Sequence, residues 1–156
     1  MESSIIKEVW REHPLYKQGK VALVPTEWVW KYRGADVSPR VELLDGTISD
    51  LDTLWKSLLE FGLHRPFIMR IGLKNKKFRL EAGNHLIQLF RKHGITEVPL
   101  TVQVKEECGP HVEDVMTDAS HNFDAPEGFL IDTITAEYMN PKEVFPDLKN
   151  LKEVYN

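Results

Sequence analysis

The stretch from Phe78 to Gly94 constrains this chain more than any other. Phe78, Leu80 and Ala82 alternate with Arg79, Glu81 and Gly83, which is the period of a strand, and apolar residues then recur at 86, 87, 89 and 90, which is the period of a helix. Gly83-Asn84 is all that separates the two patterns, so a strand hands over to a helix with almost no loop. A helix begun this way points its unpaired N–H groups and the positive end of its dipole outward, and a glycine there lets a phosphate or carboxylate reach the backbone. Asn84 as N-cap accounts for the turn without any ligand. His85 is explained less well by capping alone, because a charged imidazole gains nothing from the dipole at a helix start, and a ligand contact is the better reading.

Other elements fall into place around this one. Val21-Ala22-Leu23-Val24 reads as a buried strand stopped by Pro25. Thr26 to Tyr32 carries aromatic rings at 28, 30 and 32, the spacing of one strand face, suited to packing or to stacking a base. Residues 33–46 read as an irregular polar loop with Asp36, Arg40, Glu42 and Asp45 available for polar work. Ser49 and Asp52 have the form of a capping box, followed by a stripe of Leu51, Leu54, Trp55, Leu58 and Leu59 and a stop at Gly62. Phe67 to Ile71 and Phe78 to Glu81 form a hairpin across the turn 72–77, and Val98 to Val104 is a further strand.

The chain divides on this reading into an N-terminal helical arm, 1–19, a core domain, 20–105, and a C-terminal extension, 106–156. The arm's helix carries Ile5, Ile6, Val9 and Trp10 and stops near His13-Pro14. The extension is acidic and broken at first, with a short helix expected from His111 to Ala119 and another opening at Asn140-Pro141. Its Phe129, Leu130, Ile131, Tyr138, Phe145 and Tyr155 are too many apolar groups for a disordered tail, so it is expected to pack on the core.

With 156 residues, 42% of them hydrophobic, the chain has enough material for one real core. No apolar run approaches the roughly 20 residues of a membrane helix, and the first residues lack a signal peptide's basic start and long apolar middle. Cys108 is the one cysteine, so no internal disulfide forms, which fits a reducing cytoplasm. The formal net charge of −4 does not attract nucleic acid, and any such contact is confined to the basic stretch 65–92. His111 and His121 stand among carboxylates at a spacing that matches no zinc or calcium loop, so no metal site is assigned.

The order of elements is strand with proline, polar loop, capped helix, Gly62-Leu63-His64-Arg65-Pro66 before a strand, then strand, Gly83-Asn84-His85, helix, Gly94 and Val98-Pro99-Leu100. That order resembles the N-terminal domain of the ParB/sulfiredoxin superfamily, over Val21 to Val104. The resemblance implies a small mixed-sheet α/β (α+β) domain that holds a nucleotide, ATP, ADP or CTP, with Mg2+ as companion. It places the phosphates at Gly83, Asn84 and His85, with Arg40, Arg65 or Arg70 neutralising charge. Asp36, Glu42 or Glu27 would serve as base or Mg2+ ligand, with His85 beside it, for phosphoryl transfer or nucleotide hydrolysis. The chain departs from the family in two places: it lacks the loop cysteine of sulfiredoxins, and Leu86 stands where most members carry arginine. Two further readings follow from the same fold, a ParB-like DNA-binding or DNA-processing accessory of phage or plasmid type and a non-catalytic protein-interaction module. A homodimer is compatible with each.

Overall fold

The computed structural model describes residues 12–33, 40–42, 48–63, 65–74, 76–106, 123–125 and 138–149; at 40–42, 48, 49, 82, 84 and 149 the backbone alone is described. In chain order the elements are α1 (Pro14–Lys17), β1 (Ala22–Pro25), α2 (Thr26–Trp30), β2 (Arg40–Glu42), β3 (Ile48–Asp50), α3 (Leu51–Phe61), β4 (Phe67–Gly72), β5 (Lys77–Ala82), α4 (Asn84–Lys92), β6 (Glu97–Lys105), β7 (Phe123–Asp124), α5 (Pro141–Val144) and α6 (Pro146–Lys149).

Five strands form one mixed sheet in the order β1-β6-β4-β5-β7, and β2 pairs with β3 apart from it. Strand β6 runs antiparallel to β1 and parallel to β4, while β5 is antiparallel to both β4 and β7. A parallel pair needs a crossover, and β5 with α4 supplies it between β4 and β6. The protein is therefore of mixed α/β class.

Alternation along the strands separates two chemically different faces. Phe67, Met69 and Ile71 align with Leu100, Val102 and Val104 on one side and with Leu80 and Phe78 on the other, and all are buried. This face is covered by Ile87 and Phe90 of α4, Trp28 and Val29 of α2, and Val144, Phe145 and Leu148 near the C-terminus. Ring contacts hold the cover in place: Phe90 lies 5.4 Å from Phe67, Tyr32 4.8 Å from both Trp28 and Phe78, and Phe145 5.0 Å from Trp28. Trp28 Nε1 also donates to Asp147 Oδ2 at 2.6 Å, which ties α6 to α2. Burial, and secondarily the Asp147 charge, raises the Tyr32 phenol above its ordinary 10.0, so the ring stays neutral within the cluster. The opposite face carries Ile68, Arg70, Arg79, Glu81, Thr101 and Gln103, and the Thr101 hydroxyl lies 2.7 Å from the Lys20 carbonyl.

Several elements differ from the sequence expectation for identifiable reasons. Thr26 to Trp30 is a helix and not a strand, because Thr26 N–H donates to the Thr96 carbonyl at 2.9 Å and its hydroxyl to the Ile95 carbonyl at 2.6 Å, turning the chain as soon as β1 ends. Trp28 and Tyr32 meet as a helical i, i+4 pair, and the supposed single aromatic face does not exist. Asp50 caps α3 in place of Ser49, accepting from Thr53 N–H at 2.8 Å, since Ser49 is held in β3 opposite Val41. Part of the loop 33–46 is strand β2. In the helical stripe Trp55 and Leu58 are buried, but Leu59 is 53% exposed. Gly62 ends α3, with its N–H on the Leu58 carbonyl at 2.8 Å and a φ of +79°. The helices expected around Val9 and from His111 to Ala119 lie outside the described residues. Among the described residues, no helix is long and apolar enough to cross a membrane.

Candidate functional site

The junction between β5 and α4 is built on Gly83. Its φ of +112° lies in the region that side-chain-bearing residues rarely adopt, and a Cβ there would fall within 3.0 Å of three carbons of the Phe67 ring. Gly83, not Asn84, is the N-cap: Asn84 is the first helical residue, and the first α-helical bond runs from Ile87 N–H to the Gly83 carbonyl at 2.8 Å. A glycine cap brings no side-chain acceptor to the first-turn amides. Gly83 therefore adds no acceptor at the start of α4, where the positive end of the helix dipole lies.

His85 is half-buried in that first turn. Gln88 and Lys92 follow it at i+3 and i+7 and share its stripe of the helix. The stripe leads into a cleft of about 510 Å³ between α2, α3 and α4, lined by Trp30, Leu51, Gln88, Leu89, Arg91 and Lys92. The Gln88 amide nitrogen is buried and has no hydrogen-bond partner among the described residues. An enclosed amide donor without an acceptor costs about 1–3 kcal/mol, so this one favours whatever brings an acceptor into the cleft.

Charge at the cleft rim is held only weakly. Arg91 Nε donates to Glu27 Oε1 at 2.9 Å and Lys92 Nζ lies 3.9 Å from Asp52 Oδ1, all on exposed side chains. Pairs of this kind contribute roughly 0–1 kcal/mol, and a ligand's phosphate can replace either carboxylate at small cost. Trp30 is not an open stacking platform, because the guanidinium carbons of Arg33 and Arg91 lie 3.9 Å and 4.5 Å from its ring centroid. The base-stacking use of the aromatic run therefore loses its geometric support.

The residues singled out from sequence do not all converge here. Gly83, Asn84 and His85 form the turn itself. Ile68 pairs with Ala82, so the segment that carries exposed Arg65 enters the sheet at the same end. Arg70 lies on the opposite sheet face from α4, where Nη1 is 3.4 Å from Glu81 Oε1 and Nη2 is 3.5 Å from Gln103 Oε1. Arg40 and Glu42 belong to β2, with only their backbone described, and Asp36 lies outside the described residues. Glu27 is on α2 and engaged by Arg91. Sequence reasoning passed over Gln88, although its i+3 spacing from His85 on an amphipathic helix was the signal that marks it; Arg91 and Lys92 belong to the basic stretch 65–92 that the sequence already marked.

No protein-family model, curated protein or solved structure matches this chain.

Proposed function

We propose that this chain is a nucleotide-binding protein with a ParB/sulfiredoxin-like fold, in which the phosphates rest on the Gly83-Asn84-His85 turn and the rest of the ligand follows α4 into the Gln88 cleft. One observation carries the reading: α4 starts on a left-handed glycine with no side-chain cap, and its ligand-facing stripe runs from His85 to Lys92 beside an open cleft. Amides at such a start, with an imidazole beside them, suit phosphate oxygens. From Gly83 to Gln88 is about 8 Å along the helix axis, at 1.5 Å per residue, so one ligand can touch both. Asp36 or Glu42 on the 33–46 segment supplies the base or Mg2+ ligand for phosphoryl transfer or hydrolysis in this scheme.

Titration calorimetry with ATP, ADP, CTP and GTP in the presence of Mg2+ tests it. A saturable heat with at least one nucleotide is expected, weakened about tenfold in His85→Ala, the equivalent of one charge-assisted hydrogen bond. Absence of heat with all four removes the reading, and equal affinity in His85→Ala removes the histidine from the site.

The nucleic-acid reading gains nothing from the structure's charges. In the 65–92 stretch Arg70 and Arg79 meet Glu81, Lys74 meets Glu106, Lys77 meets Asp124, Arg91 meets Glu27 and Lys92 meets Asp52. The interaction-module reading draws on Leu59 and Phe61, exposed by 53% and 57% at the end of α3. A stoichiometric protein partner whose binding ignores nucleotide would favour it.

A further inference from the structure

The sheet face turned away from α4 gathers positive charge at the end that carries the β4–β5 turn. Register places Arg70 opposite Arg79 on β5 and beside Gln103 on β6, and Lys105 beside Gly72, so Arg70, Gln103 and Lys105 share that face. The chain continues the β4–β6 pairing past the strand end, with Leu73 N–H on the Lys105 carbonyl at 3.0 Å and Lys74 N–H on the Glu106 carbonyl at 2.8 Å. A cleft of about 640 Å³ opens there, lined by Arg70, Lys74, Lys105 and Glu106.

Three cations and one carboxylate line this cleft. Glu106 is matched by Lys74. Glu81, the carboxylate nearest Arg70, also accepts from Arg79 Nε at 3.1 Å, and Arg79 is only 5% exposed. Arg70 is the under-served member. Its two contacts, 3.4 Å to Glu81 and 3.5 Å to Gln103, are long for charge-assisted bonds, and its Nε is buried with no hydrogen-bond partner among the described residues. Lys105 is exposed at the cleft's edge and forms no ion pair with a carboxylate among the described residues, Glu106 in the same cleft being paired with Lys74.

We infer that this cleft is a second anion site, which takes a small phosphate-class oxyanion carrying two or more negative charges on the Arg70 guanidinium and the Lys105 ammonium. A guanidinium offers a planar fork of donors that matches two oxygens of a tetrahedral anion, and an adjacent ammonium adds a point charge for a third. The excess of cations disfavours a metal ion, and the small apolar contribution of this lining disfavours an uncharged ligand. The site is separate from the α4 turn in both face and position. Gly72, at this end, lies four residues along β4 from Ile68, which marks the other, or about 13 Å at 3.3 Å per residue.

Pyrophosphate titrated into the full chain, followed by 31P NMR and by calorimetry, tests the assignment. Binding to wild type is expected, to weaken about tenfold in Arg70→Gln and about threefold in Lys105→Gln, and to fall as salt rises. A His85→Ala variant should retain a pyrophosphate site of unchanged affinity, which separates this site from the proposed nucleotide turn. Lys105 is exposed, so Lys105→Gln keeps the test valid should Arg70→Gln fail to fold by circular dichroism. The inference is overturned if wild type binds no pyrophosphate near 100 mM salt, if His85→Ala abolishes all binding, or if neither charge-removing variant changes affinity. It is overturned too if a short single-stranded oligonucleotide displaces pyrophosphate from this cleft at far lower concentration, which would make the surface a nucleic-acid contact.

Discussion

Three strands among the described residues run straight into helices, and two of these junctions, β1–α2 and β5–α4, are finished in opposite ways. Where β1 becomes α2, Thr26 closes the junction: its N–H and hydroxyl bond to the Thr96 and Ile95 carbonyls, and the residue is 2% exposed. Where β5 becomes α4, the cap is a half-exposed glycine with no side chain to offer the first-turn amides. The same backbone manoeuvre thus makes a corner bonded to the rest of the fold in one place and a glycine corner without a side chain in the other. Neither start has a side-chain cap; the difference is that at α2 the Thr26 amide and hydroxyl are both taken up by the Thr96 and Ile95 carbonyls, whereas Gly83 has no side chain to anchor its corner.

The largest effect is expected at the glycine junction. Gly83→Ala must adopt a φ near +112° and push its Cβ into the Phe67 ring, and ring and backbone are both fixed by the core. A left-handed penalty of about 1–2 kcal/mol and overpacking of about 1–3 kcal/mol together predict a loss of about 3 kcal/mol or more, measured by urea unfolding. Gly83→Ala combined with Phe67→Leu should cost less than the two changes taken separately, because the smaller side chain relieves the overlap. Additive costs in that double-mutant cycle would show that φ alone demands the glycine, and the packing half of the explanation would fall.

At the Thr26 junction Thr26→Val removes the hydroxyl while keeping the shape. The Ile95 carbonyl loses its partner in a buried setting, so a loss of about 1–2 kcal/mol is expected with nucleotide affinity unchanged. A Thr26→Val chain of wild-type stability but weakened nucleotide binding would reverse the roles given to the two junctions.

Legibility in the sequence followed locality. The β5–α4 turn was readable because a change of hydrophobic period and a glycine sit within a few residues of each other, and α3's end at Gly62 and the β4–β5 hairpin were readable for the same reason. The β1–α2 junction was not. Trp28, Trp30 and Tyr32 have a period of two, and the bonds that make the segment helical come from Ile95 and Thr96, about 70 residues away. Strand β7 is two residues long and is set by Phe123 packing 5.2 Å from Tyr32 and by the Lys77–Asp124 pair, neither of which leaves a local pattern. Gly83 and His85 do fall at the strand-to-helix turn, as the change of period in the sequence indicated. Arg70 was misplaced because alternation says that it opposes Met69, yet does not say which of the two faces α4 will cover.

A third helix start calibrates the comparison at its smallest expected effect. Asp50 caps α3 through its carboxylate, and the hydrogen bonds from Thr53 hold that carboxyl below its ordinary 3.8, with a smaller contribution from the Lys56 charge. Because the folded value is the lower one, the cap's contribution is complete above the ordinary carboxylate range and is lost as the pH falls through the depressed value. Asp50→Ala should therefore unfold at slightly lower urea concentration than wild type at pH 7, and the gap should narrow toward pH 3. Asp50→Asn, which keeps an acceptor oxygen but cannot titrate in this range, should remove most of the pH dependence and only part of the stability. Placing an aspartate at the equivalent position of α4 is barred by Gly83's φ, so that start cannot be closed in the same way without rebuilding the turn. If Asp50→Ala leaves the unfolding midpoint unchanged at both pH values, a side-chain cap matters little in this fold, and the bareness of Gly83 would no longer set α4 apart from α3.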